Sequence, residues 1–343
     1  MLLNRQAAVA RGRLVAACLY RSWRESPPPP EVTIDELESV APLLVSTGAG
    51  GLAWRRVVRD DGLAASRAGA GLHSAWLVDA GRSAGRDEQL VIALEKLRLD
   101  GLEPVVLKGW AASRRYPTPG LRPSGDIDLC LRAEDIDRAR RLTHDVRFAL
   151  DFAHIDRWSG LTAEGVLSRA STVDLNGCAV KVPAPADDLH LLAMHLLKHG
   201  GWRPLWLCDV AVLCESEPQA LARLEDDREM PTTTYVRCVV AAAHVLLGAR
   251  PAALEPTEHL PGWAHDAFLR EWGTSPYGRG RGPVPPPWRA RRFLGELRGR
   301  MPNELAATVS VMAPLQGAPR WLLQGAAYGR MVADYSRRTL MRR

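Results

Sequence analysis

Pro104-Val-Val-Leu-Lys108-Gly109-Trp110 and, a short way downstream, Arg122-Pro-Ser-Gly-Asp126-Ile-Asp128-Leu-Cys130-Leu131 are the two stretches whose reading decides the fold. The first is a short apolar run ending in Lys108-Gly109, with Trp110–Arg115 continuing as the start of a helix: a strand that turns into a helix through a glycine. Glycine lets the backbone approach a phosphate closely, and the first N–H groups of a helix are free to meet it. Lys108 adds a compact positive charge at that corner. In the second stretch Ile127, Leu129 and Leu131 alternate with Asp126, Asp128 and Cys130, the period of a half-buried strand. Residues two apart on a strand share a face at roughly 6.5–7 Å, so Asp126 and Asp128 are expected to converge. Two carboxylates that close repel unless a positive group lies between them. A pair of Mg²⁺ ions resolves the repulsion and performs phosphoryl chemistry. Taken alone, the pair also suits two exposed aspartates on a sheet edge. The Lys-Gly corner upstream favours the metal reading.

Outward from this centre the chain is mostly helical. Arg5, Arg11 and Arg13 interrupt the first twenty-odd residues, which read as an amphipathic helix rather than an export signal. Pro27–Pro30 breaks it, and Thr33 with Glu36 forms a capping box for a helix through about Val45. A long helix is predicted over Leu72–Leu99 with Leu77, Leu90, Ile92, Leu94 and Leu97 as its apolar stripe. Past the central stretch come a short helix over Ala133–Thr143, alternation over Val146–Ala153, and a hairpin of Thr172–Leu175 and Cys178–Val182 about Asn176-Gly177. Helices follow from Asp187 or Asp188 to about His199, over Leu205–Leu213 and over Val236–Leu247. A Gly/Pro/Arg loop spans Gly278–Pro287 and helix resumes at Arg289.

The 343 residues carry a formal charge of +6, yet only four lysines: Lys96, Lys108, Lys181 and Lys198. Arginine abundance therefore says little, and a retained lysine says somewhat more, because arginine could replace it at most surface sites but not where a compact point charge is needed. The six cysteines form no CxxC pair and sit in apolar segments, which argues against a zinc site or a disulfide framework. No apolar run approaches the ~20 residues of a membrane span. No membrane partner is expected, and the expected compartment is the cytoplasm.

The stretch VVLKGWAASRRYPTPGLRPSGDIDLCL resembles the uncharacterised nucleotidyltransferase family of the DNA polymerase beta nucleotidyltransferase superfamily. The likeness lies in Lys108-Gly109, in Tyr116-Pro117, and in Arg122 to Asp128. It extends into LHLLAMHLLKHGGWRPLWLCDVAVL, similar to the family's helical segment with histidines, a tryptophan and an aspartate. The resemblance implies transfer of an NMP from an NTP, such as ATP, to an acceptor hydroxyl or phosphate, with Mg²⁺ or Mn²⁺. The acceptor would be a small molecule or a peptide natural product ahead of RNA. It implies catalytic and metal-binding roles for Asp126, Asp128 and a third carboxylate on a later strand, best matched by Asp151, with Asp156 and Asp174 in reserve. Only about twenty residues separate Leu131 from Asp151, where family members often carry a longer insert. Lys108, Gly109, Arg122, Ser124 and Gly125 are the implied nucleotide-binding residues. His195, Lys198, His199 and Asp209 would lie on the substrate side, Asp209 orienting a histidine or lysine. His195 and His199 share a helix face, but HLLKH lacks the glutamate of a zinc motif.

The expected architecture is α+β: a small mixed β-sheet nucleotidyltransferase core over residues 101–185, flanked by an N-terminal helical region, 1–100, and a C-terminal helical domain, 186–343. The alternative to an enzyme is a catalytically silent nucleotide-binding or protein-interaction module on the same fold.

Overall fold

A computed structural model describes residues 5–152, 155, 160–226, 232–251, 259–275 and 301–340. Asp156, the Gly278–Pro287 loop and the segment from Arg289 to residue 300 lie outside them. The architecture is α+β, a small mixed sheet flanked by helices.

The N-terminal part consists of α1 (Arg5–Leu19), α2 (Ile34–Ser46), α3 (Gly50–Val57), α4 (Asp61–Ala65) and α5 (Arg67–Leu99). The capping box forms: Glu36 N–H donates to Thr33 Oγ1 at 3.2 Å and Thr33 N–H to Glu36 Oε2 at 2.8 Å. Helix α5 starts five residues earlier than the apolar stripe suggests, because Ser66 caps it by accepting from Gly69 N–H at 3.0 Å. At 33 residues it spans about 50 Å, and its two ends serve different cores. Ala68 and Leu72 pack among the flanking helices, whereas Leu90, Leu94 and Leu97 pack beneath the sheet. Between these ends Leu77 is exposed rather than part of the stripe.

The sheet contains β1 (Val105–Leu107), β2 (Ile127–Cys130), β3 (Leu150–Asp151), β4 (Ser171–Leu175) and β5 (Cys178–Val182) in the order β3-β2-β1-β5-β4. Central β1 lies antiparallel to β2 and parallel to β5. Both β1 and β2 are buried throughout, as strands covered on two faces must be. Asn176 and Gly177, at φ 52° and 86°, make the two-residue turn between β4 and β5 that their sequence requires. The alternation expected over Val146–Ala153 yields only the two residues of β3. Arg147 N–H donates to Gln89 Oε1 at 2.8 Å instead of to a neighbouring strand, and pairing with β2 begins at the Ile127 N–H to Ala149 carbonyl bond. Short helices α6 (Lys108–Ser113), α7 (Ile136–Leu142, after a 3₁₀ turn at Ala133–Asp135) and α8 (Ala163–Arg169) connect the strands.

The chain then forms α9 (Pro185–Lys198), α10 (Pro204–Ser216), α11 (Ala220–Asp226), α12 (Thr233–Leu247), α13 (Gly262–Trp272), α14 (Glu304–Ser310) and α15 (Arg320–Leu340). These do not build a core of their own. One large apolar cluster joins Leu19, Leu37, Leu44 and Leu52 to Leu196, Val239, Phe268 and Trp272, so N- and C-terminal helices bury one another. The crossing of α1 and α13 is close enough that a Cβ on Gly12 would stand 1.9 Å from the Leu269 carbonyl oxygen. No helix among the described residues is long and apolar enough to cross a membrane.

Candidate active site

Strand pairing assembles the acidic residues. Asp128 lies in β2 with Leu107 of β1 opposite it on one side and Asp151 of β3 on the other. Asp126 stands one residue before β2 begins, in the turn that feeds it. One oxygen of each of Asp126, Asp128 and Asp151 comes within 4.8 Å of the others, the one such acidic, histidine or cysteine group among the described residues. Asp126 and Asp151 are exposed and Asp128 is buried. Burial raises the Asp128 carboxyl above the ordinary range, Lys108 opposes this, and the charges of Asp126 and Asp151 add to it. Three carboxylates sharing one lysine leave excess negative charge. An all-oxygen set of this kind suits a hard divalent cation such as Mg²⁺ or Mn²⁺.

Lys108 Nζ donates to Asp128 Oδ1 at 3.3 Å. Its backbone adopts φ 43°, unusual for a side chain other than glycine, at the point where β1 becomes α6. The next residue allows no side chain: a Cβ on Gly109 would be 2.4 Å from Ser124 Oγ. Ser124 Oγ in turn donates to the Asp126 carbonyl at 2.7 Å, fixing the turn that presents Asp126. Lys108, Gly109, Ser124 and Gly125 thus gather around the carboxylates. Since α6 is six residues long, what this corner could offer an anion is Lys108 and nearby N–H groups more than a helix dipole.

Arg122 is elsewhere engaged. It is 5% exposed and Asp209 1%. Arg122 Nε and Nη2 donate to Asp209 Oδ2 at 3.1 and 2.8 Å, and Tyr116 Oη donates to Asp209 Oδ1 at 2.9 Å. Burial works against the Arg122 charge, and the Asp209 carboxylate more than offsets it, holding the guanidinium above its ordinary range. Asp209, expected beside a histidine or lysine, instead joins α10 to the Tyr116–Arg122 loop. A second buried pair, Arg115 with Asp188 at 2.7 Å, ties the same loop to α9.

His195 and His199 do share a face of α9, with ring centroids 4.5 Å apart, and both lie against Trp206, at 4.6 and 5.4 Å. Burial, then the positive charges of Lys108, His199, Arg122 and Lys198, push the His195 imidazole down to about 2. It is neutral at neutral pH. A partner carboxylate would have raised it, but the neighbours it meets are cationic. Lys198 and His199 are exposed at the end of α9. Asp174, one of the reserve carboxylates, accepts from Gly177 N–H at 3.1 Å and belongs to the hairpin turn.

Arg203, Arg86 and Trp206 were not singled out by sequence reasoning, and all three stand near this centre. With nearly all positive charge carried by arginine, no individual arginine carries a signal until the fold places it.

No curated protein and no solved structure matches the chain. The matched family stretch runs from α2 past α7, taking in Lys108, Gly109, Arg122 and the Asp126–Asp128 pair but stopping short of Asp151, His195 and Asp209. Over residues 35–146 the chain matches the family described as uncharacterised nucleotidyltransferase.

Proposed function

We propose that the chain transfers an NMP from an NTP to an acceptor oxygen, with Asp126, Asp128 and Asp151 holding a pair of divalent cations. The observation that carries this reading is the convergence of the three carboxylates, one of them buried, beside Lys108, with Lys108, Asp126 and Asp128 inside the family-matched segment and Asp151 beyond it. Such cations supply charge neutralisation at the triphosphate and lower the pKa of the acceptor oxygen.

The chain's own residues do the rest. Lys108, released from Asp128, meets the triphosphate and offsets charge on the leaving pyrophosphate. Gly109 and the Ser124-Gly125 turn let the phosphates approach the backbone. The acceptor oxygen attacks the α-phosphorus, the bond to the bridging oxygen breaks, and pyrophosphate departs. In this reading Asp151, exposed and paired across the strands with Asp128, takes the acceptor's proton. Neutral His195, with His199, Trp202 and Trp206, forms an aromatic wall suited to an acceptor or base rather than to an anion. A small molecule or peptide acceptor fits this reading ahead of RNA.

The reading is tested by incubating the protein with each labelled NTP, Mg²⁺ and a cell extract, followed by mass analysis of what gains an NMP. No gain with any NTP would count against it. Two variants probe its parts. Lys108→Ala is expected to weaken NTP binding by ~1.5–3 kcal/mol, the range for a charge-assisted hydrogen bond. Unchanged affinity by calorimetry would leave Lys108 as a partner of Asp128 alone. Asp151→Ala is expected to cut transfer at least ~10²-fold, or ~2.7 kcal/mol in the barrier, and Asp174→Ala less than about twofold, since its carboxylate is engaged in a turn. The reverse ranking, read from initial rates, would remove Asp151 from the metal set.

A further inference from the structure

A cavity of about 250 Å³ opens between the end of α2, the middle of α5 and the Pro123–Gly125 turn. Arg82, Arg86 and Arg203 line it against a single carboxylate, Asp79. Asp79 lies 3.9 Å from Arg82. Arg86 is 3% exposed, and its Nε and Nη2 are engaged by Asp87, Ser83 and Ser113.

Arg203 is the unbalanced member. Its Nε donates to the Thr47 carbonyl at 2.8 Å and its guanidinium lies 5.7 Å from the Trp206 ring centre. No described carboxylate is within ion-pairing distance: on the helix that Arg203 precedes, Asp209 is bonded to Arg122 and Tyr116, and Glu215 to Arg24. The backbone is shaped around it: Gly48, at φ 74°, would place a Cβ 2.6 Å from Arg203 Nη2. Burial and the neighbouring Arg122 push Arg203 down to about 10, so it stays charged at neutral pH. Asp209, Asp126 and Asp79 offset part of this at longer range, but a half-buried cation with no carboxylate bonded to it is costly, and an anion in the cavity reduces that cost.

The cavity adjoins the carboxylate cluster. Ser124 and Gly125 line it and directly precede Asp126. Ser124 Oγ also abuts Gly109, which joins the cavity to the Lys108 corner through one side chain. We propose that this cavity binds a phosphoryl group, held by the guanidiniums of Arg203, Arg86 and Arg82 with the Ser83 hydroxyl, and that a substrate of the transfer reaction carries it. The forked guanidinium suits a phosphoryl group better than a point charge does. That the carrier is a substrate rests on the nucleotidyltransferase reading; the anion site itself does not. Two carriers share this chemistry, the polyphosphate tail of the NTP and a phosphoryl group on the acceptor.

The test measures binding of inorganic phosphate and of a non-hydrolysable ATP analogue with Mg²⁺ to the full chain by calorimetry, beside thermal melts with and without phosphate. Phosphate is expected to bind and to raise the melting temperature. Arg203→Gln should weaken it at least tenfold and abolish the thermal shift, and Arg203→Lys should restore part of it. If phosphate competes with the analogue, and Arg203→Gln weakens both by the same factor, the NTP tail is the carrier. If both bind together and analogue affinity is unmoved, the acceptor carries the group. Should Arg203→Gln fail to fold, Arg82→Gln, on an exposed side chain of the same lining, carries the test with the same sign. Absence of phosphate binding by the folded wild type, or an affinity indifferent to these arginines, overturns the proposal. Asp128→Asn separates it from the catalytic reading, since that variant should bind phosphate normally. A chain that binds phosphate through Arg203 but transfers no NMP keeps the anion site and loses the enzyme. A chain that transfers NMP with phosphate affinity indifferent to Arg203 loses only the anion site.

Discussion

Asp128→Asn is expected to lose at least ~10³-fold in nucleotidyl transfer, about 4 kcal/mol in the barrier, while its melting temperature stays level or rises. The two halves of this expectation have one origin. Asp128 is the buried member of the cluster, and burial, with Asp126 and Asp151 beside it, raises its carboxyl out of the ordinary range. A carboxyl raised in this way is one whose ionised form the fold disfavours. Replacing it with a neutral amide of the same shape relieves that penalty and keeps an acceptor for Lys108 Nζ, now 3.3 Å from Oδ1. The same replacement removes the negative charge a divalent cation needs. Asp126→Asn should behave alike in activity with a smaller thermal effect, because its side chain is exposed. Initial rates and melts on the same preparations make the check. Full transfer by either variant, or by wild type in excess EDTA, would remove the metal-carboxylate assignment, and a variant that merely unfolds would make Asp128 a structural residue.

What was legible in the sequence follows the range of the interactions involved. Thr33 and Glu36 act three residues apart, Asn176-Gly177 acts within one turn, and both read directly. The Lys108 corner and the Asp126–Asp128 strand are local too, and pairing of β1 with β2 brings them together with one register step to spare. Asp151 comes beside Asp126 and Asp128 although β3 is only two residues long, Gln89 accepting the Arg147 N–H. Long-range pairings were not legible. Arg122 and Asp209 are 87 residues apart, and the sequence points Arg122 to the nucleotide and Asp209 to a histidine or lysine, whereas in the fold they pair with one another. The low histidine pKa at His195 arises first from burial and then from Lys108, His199, Arg122 and Lys198; of these only His199 and Lys198 can be read from its own stretch of sequence. Arg203 is lost among many arginines until Gly48 and the α5 residues close around it.

The Arg122–Asp209 pair carries the second large expectation. Asp209→Ala should destabilise the protein by ~3–5 kcal/mol, the usual cost of leaving a buried partner charge uncompensated. Arg122 would keep only its Pro123 carbonyl contact, and the buried Tyr116 hydroxyl would lose its acceptor. The damage should also reach the active site, because these two residues bracket the loop that leads through Ser124 into Asp126. Asp209→Asn, which retains an acceptor for Tyr116 but no charge, should fall between wild type and Asp209→Ala. Converting both partners to apolar residues, as in Arg122→Met with Asp209→Leu, should recover much of the loss, since no charge is then left buried. Urea unfolding of wild type, Arg122→Met, Asp209→Leu and the double variant measures the coupling between the two sites. A loss below about 1 kcal/mol in Asp209→Ala would mean that the pair is poorly formed in solution. If that variant kept its stability but lost transfer, Asp209 would return to the substrate side, and its partner there would have to come from α9, where His195 and His199 stand closest to Trp206.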